Sequence, residues 1–179
     1  MMNQCKEITS NDWIEFSKGK QVMSGTRNLW VTNLEDDFGY KIFTINNDAN
    51  GNGRTPARLI REKKVMKISS DTDLDKMFTL LTSAHQMGYH PRPIEIFNYK
   101  SIKGIKIEKA EPATQKLFDN RHEEIDYDSL KSILNDSMVF YMAQLDTNKT
   151  NYGQINGSLV IIDFDLETLE NSKIKDEHE

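Results

Sequence analysis

The chain predicts an α+β fold, with an antiparallel sheet and one main helix in the first part and a smaller part that closes on a hairpin. Three observations carry this. Asn156-Gly157 is the preferred pair for a two-residue type I′ turn, because both positions need positive φ, and it separates a Tyr/Ile-bearing stretch from the β-branched run Leu159 to Ile162. Phe38 to Ile45 alternates Tyr40, Ile42 and Thr44 with Phe43 and Ile45, and Pro93 to Tyr99 and Gly104 to Glu108 alternate in the same way about Lys100 to Lys103. Asp71 to Gly88 has Leu74, Met77, Phe78, Leu81, Ala84 and His85 on one helical face, acids in its first turn and a glycine to stop it.

The remaining elements follow in chain order. Two glycines six apart, Gly19 and Gly25, precede the apolar Leu29-Trp30-Val31. Asn46 to Pro56 reads as a loop on every local criterion. Its Asp48, Asn50, Asn52 and Gly53 fit the start of a calcium loop, but the twelfth residue, Leu59, is not acidic, so this is a solvated insertion. Arg61 to Ile68 alternates as a half-buried strand containing Lys67. Tyr127 to Asp136 carries Leu130, Ile133 and Leu134 at helical spacing, with Met138, Phe140 and Met142 continuing apolar, which predicts a helix behind the hairpin. The tail, 167–179, is charged and is expected to be a frayed helix or a disordered end.

At 179 residues the chain suits one domain or two small lobes sharing a cleft. A net charge of −5, with no Lys/Arg stripe interleaved with aromatics, argues against nucleic acid as the main partner. No segment has the apolar length of a membrane span, and the first residues lack the apolar core of a secretory signal, so the expected location is the cytoplasm. The single Cys5 excludes an internal disulfide, and the four histidines have no metal-ligand spacing. His90 and His122 are expected in loops, His90 at the entrance of a strand.

Chemistry concentrates near the hairpin. Asp146 is followed five residues on by Asn151, and the apolar run after the turn ends in Asp163-Phe164-Asp165. The turn can bring Asn151 and Asp163 to the same end of one hairpin. There their oxygens suit a hard cation such as Mg²⁺, which takes one or two protein groups together with phosphates and water. Asp146, in the preceding loop, is free to face a substrate hydroxyl.

This arrangement resembles the catalytic loop and metal motif of the protein-kinase superfamily, DxxxxN, hairpin, then DFG. Gln144-Leu145 replaces the usual His-Arg, and Asp165 the Gly. The resemblance covers roughly Gly19 to Asp165 and implies a protein-kinase-like plan with an N-lobe over 1–112 and a minimal C-lobe over 113–179. It implies ATP and Mg²⁺ as cofactors, with Asp146 and Lys67 catalytic and Asn151 and Asp163 holding the metal. Val65-Met66-Lys67-Ile68 would be the strand whose lysine neutralises the phosphates. Gly19, Gly25 and Thr26 would belong to a degenerate phosphate-covering loop, with Gly25-Thr26 at its tip. Glu108 to Pro112 would be the hinge, where backbone groups near Glu108 and Ala110 meet the adenine edge.

The helix at 71–87 has no Glu to pair with the strand lysine, and Asp75 is the only acid far enough in to substitute. Only 14 residues follow Asp165, so the plan is similar to the small effector kinases that pathogenic bacteria inject into host cells. By that resemblance the acceptor is Ser or Thr on a protein partner, such as a host target reached in the host cytosol. The alternative expectation is a pseudokinase-type module that occupies a partner protein without phosphoryl transfer.

Overall fold

The computed structural model of the chain describes residues 6–24, 28–45, 66–68, 71–132, 138–140, 149–162 and 166–168. These form an α+β fold in which most strands belong to one antiparallel sheet. Its centre is β4 (Phe38–Ile45). On one side lie β3 (Asn28–Thr32) and then β2 (Gln21–Ser24) at the edge. On the other side β7 (Ile102–Glu108) pairs with the first half of β4, and β6 (Pro93–Tyr99) pairs with β7. The far end of β4, at Thr44 and Ile45, pairs instead with β5 (Met66–Ile68), which continues to β1 (Lys6–Ile8). Every pairing is antiparallel.

Each face of the sheet has its own cover. α1 (Ser10–Ser17), which nothing in the alternation announced, starts at an N-cap where the Thr9 hydroxyl accepts from the Asp12 amide. It buries Trp13 and Phe16 against Leu29, Val31, Ile42 and Ile102. The Phe16 ring stacks on Phe97 and meets Tyr40 edge-on. The opposite face receives α2 (Asp71–Gln86), whose Leu74, Met77, Leu80, Leu81 and Ala84 are buried. α2 stops as expected, with Gly88 at φ +84° and the Tyr89 amide returning to the Ala84 carbonyl.

From β7 the chain passes through Lys109 and Ala110 into the two-residue β8 (Glu111–Pro112), and then into α3 (Gln115–Arg121) and α4 (Tyr127–Ser132). The hairpin β10 (Tyr152–Ile155) and β11 (Ser158–Ile161) forms in the expected register, and Asn156 and Gly157 both have positive φ, 51° and 81°. β8 joins it as a third strand through Gly153 and Gln154. One core cluster runs without a break from Phe43, Ile105 and Ile107 of the sheet through α2 to Phe118, Leu130, Tyr152, Leu159 and Ile161.

Two expectations are corrected. The apolar run after α4 does not continue as helix: Met138–Phe140 is strand β9, paired with β12 (Leu166–Thr168). The expected frayed tail therefore begins as a strand, because Glu167 and Thr168 pair with Val139 and Met138. A short apolar run fits either period, and only a partner distant in sequence decides between them. Residues 46–65, including the expected solvated insertion, lie outside the described residues.

Candidate functional site

Alternation along β4 sets up the site. Tyr40 and Ile42 face α1, so Lys41 and Phe43 face α2 and the hairpin. Lys41 is 3% exposed. Its ammonium lies 5.4 Å from the Phe43 ring centroid and donates to the Ile162 carbonyl at 3.5 Å, across 121 residues of sequence. Burying an ammonium is costly unless it finds acceptors, so a lysine held here marks a place built around a cation.

His90, 2% exposed, lies close enough for the Lys41 charge to act on it. Burial first, and that charge second, push its imidazole down to a pKa of about 3. Its Nδ1–H donates to the Pro91 carbonyl at 2.6 Å, and the His85 Nδ1–H donates to the His90 carbonyl at 2.9 Å. The ring is neutral at physiological pH. Sequence placed His90 correctly at a strand entrance but gave no sign of its burial.

The hairpin docks on this same segment. The Ile161 amide donates to the Tyr89 carbonyl at 2.8 Å, and the Ile162 amide donates to the Asn151 carbonyl at 2.9 Å. Asn151, 7% exposed, ends a short 3₁₀ turn at the start of β10. Asn151 and Ile162 therefore sit at the same end of the hairpin, as the turn geometry requires. Asp163 follows directly in the chain, but Asp163 and Asp146 both lie outside the described residues. Among the described residues no group of three His, Cys, Asp or Glu side chains could hold a metal.

The other expected site residues are scattered differently. Lys67 is at the centre of β5, opposite Glu7 of β1 and Ile45 of β4, and its side chain is outside the described residues. Gly19, at φ +73°, lies in the turn between α1 and β2 and so is separated from the β2–β3 turn by the whole of β2. Gly25 and Thr26 lie outside the described residues. Asp75 is exposed on α2.

Glu108 and Ala110 lie at the connector between sheet and hairpin, both half-buried. The Glu108 amide donates to the Arg92 carbonyl and the Lys109 amide to the Asp37 carbonyl, at 2.9 and 2.8 Å. The Lys109 ammonium donates to the Asn33 carbonyl at 2.7 Å. Gly153 packs so closely under Ala110 and Glu111 that a Cβ there would come within 3 Å of both.

Among the described residues, β4 and the end of the hairpin thus meet at the buried Lys41 ammonium. No family model matches this chain, and neither the curated proteins nor the solved structures give a match. Its function must come from the geometry itself. Two open cavities of about 380 and 300 Å³ lie around Arg121 and Gly157 at the hairpin tip, and neither is lined by Lys41, His90, Asn151 or Ile162. No helix among the described residues is long and apolar enough to cross a membrane.

Proposed function

We propose that the chain is a minimal kinase-like phosphotransferase that uses ATP and Mg²⁺ to phosphorylate Ser or Thr of a partner protein, with Lys41 in the role first expected of Lys67. One observation carries the reading: a buried strand lysine reaches the residue immediately before Asp163. The order of elements supports it. Counted from β2, Lys41 lies on the third strand, the short β5 and then α2 follow, and the last strand of the sheet, β7, runs into the connector at Glu108. Protein kinases carry their phosphate lysine on the third strand, ahead of the helix that normally supplies its glutamate.

In this scheme the Lys41 ammonium offsets phosphate charge, and Asp146 orients the acceptor hydroxyl and takes its proton. Asn151 and Asp163 would hold the metal. Their oxygen donors suit Mg²⁺, and the backbone bond from Ile162 to Asn151 supports bringing them together. Bound there, the metal would supply neutralisation of charge on the phosphates. The rest of the catalysis is placement.

A second reading, a module that occupies a partner without phosphoryl transfer, is favoured by one observation: α2 contains no Glu, and Asp75 is exposed while Lys41 is buried.

Incubation with γ-labelled ATP and Mg²⁺, with and without host lysate, separates these readings. Labelling should fall roughly 100-fold or more in Lys41→Met, Asp146→Ala and Asp163→Ala and survive in Lys67→Met. Loss in Lys67→Met with activity retained in Lys41→Met would return the role to Lys67. Thermal stabilisation by nucleotide without any labelling would favour the binding module.

A further inference from the structure

Cross-strand register puts Met23, Trp30, Lys41 and Ile105 in one row on the cleft face of the sheet. Directly opposed residues of antiparallel strands share a face. Along this row burial decreases from Ile105 and Lys41, through half-buried Trp30, to Met23 at 69% exposure. Gly39, two residues before Lys41 on the same face, lies against the Trp30 indole. A Cβ at Gly39 would come within 3 Å of three ring atoms, so the indole covers the backbone where a side chain would otherwise stand. Opposite the sheet, Ile162 is 39% exposed, with its Cγ2 beside Gly153 under the connector and its carbonyl accepting a hydrogen bond from the Lys41 ammonium. Exposed apolar surface and an aromatic face therefore flank a buried cation, which is the chemistry of a flat base attached to a charged tail.

The connector has less to offer the edge of that base, because the Glu108 and Lys109 amides are engaged within the protein. Stacking is tolerant of base identity, since every base presents a π-face. We infer that the Trp30 indole is the stacking platform for the nucleotide base, and that base affinity comes from this face more than from edge hydrogen bonds. ATP and GTP then bind within about tenfold of each other. This rests on the nucleotide reading of the same site.

The test uses the intact chain, whose two tryptophans are Trp30 and Trp13, the latter buried on the opposite face of the sheet. Adenosine, Mg-ATP, Mg-GTP and inorganic tripolyphosphate are titrated by fluorescence and by calorimetry. The first three should quench emission, tripolyphosphate should not, and Trp30→Leu should abolish the quench and weaken ATP and GTP alike by at least about fivefold. Trp30→Phe, which keeps a ring, should retain most of the affinity. Calorimetric binding of ATP with no quench, an unchanged Kd in Trp30→Leu, or GTP much more than tenfold weaker would each overturn the stacking platform and leave the nucleotide reading standing. Absence of all nucleotide binding would overturn both.

Discussion

The burial of His90, with the Lys41 charge as the lesser cause, has a direct thermodynamic consequence. The folded protein holds its imidazole neutral down to about pH 3, whereas the unfolded chain protonates it near 6.5. Below 6.5 the unfolded state therefore binds more protons, and stability is lost as pH falls through the window from 6.5 toward 3. The slope is about 1.4 kcal/mol per pH unit, so the site should contribute about 2 kcal/mol of destabilisation between pH 7 and pH 5. Urea unfolding at those two pH values measures it, and His90→Asn should flatten the dependence in that interval; an unchanged slope in the variant would assign the acid sensitivity to other groups.

The same scale explains the competition between the two lysines. Tyr40-Lys41-Ile42 and Met66-Lys67-Ile68 are equivalent as local patterns, each a lysine between apolar neighbours. What distinguishes them is which strand is central and what covers each face, and neither is local information. The expected Asn156-Gly157 turn, by contrast, depends on two residues' own φ preference and was legible directly.

At the level of elements, the pairing of β4 with β7 depends on the absence of a side chain. A Cβ at Gly104 would fall inside 3 Å of the Lys41 backbone carbonyl and the Phe97 ring. Backbone cannot yield as a side-chain tip can. Gly104→Ala should therefore cost about 1–3 kcal/mol, as overpacking does, and should weaken nucleotide binding by displacing Lys41. Chemical denaturation and calorimetry on one sample test both effects; normal stability would refute the close approach.

A milder change marks the α1 end. Thr9→Ala removes the hydroxyl that caps the helix and should cost about 1 kcal/mol, read as a fall in Tm, without altering nucleotide affinity, because α1 covers the face of the sheet away from Lys41. Elements with strong local signals, such as α2 with its capped apolar stripe, were readable in advance. β9 and β12 were not, because three-residue strands exist only by virtue of each other.

Across the described residues as a whole, one unbroken core cluster joins sheet, α2 and hairpin. α2 contributes Leu81, fully buried, to the same cluster that holds Tyr152 and Ile161 of the hairpin. Leu81→Ala should destabilise by about 2–5 kcal/mol. Unfolding followed by Trp fluorescence and by far-UV circular dichroism should give one coincident transition in both the parent and the variant. Two separated transitions would mean that sheet and hairpin are autonomous.

The pairing of β8 with β10 has a consequence for traffic through the cleft. Connector and hairpin are one three-stranded sheet, and a backbone bond from Ile161 to Tyr89 fastens that sheet to the end of α2. Only Lys109 and Ala110 separate β7 from β8, and Lys109 is tied at both its amide and its ammonium. If the nucleotide reading holds, such a frame offers its ligand a fixed slot, not a jaw that shuts on it. On the nucleotide reading, residence times should therefore respond to substitutions at the outer rim near Met23 more than to changes in the connector.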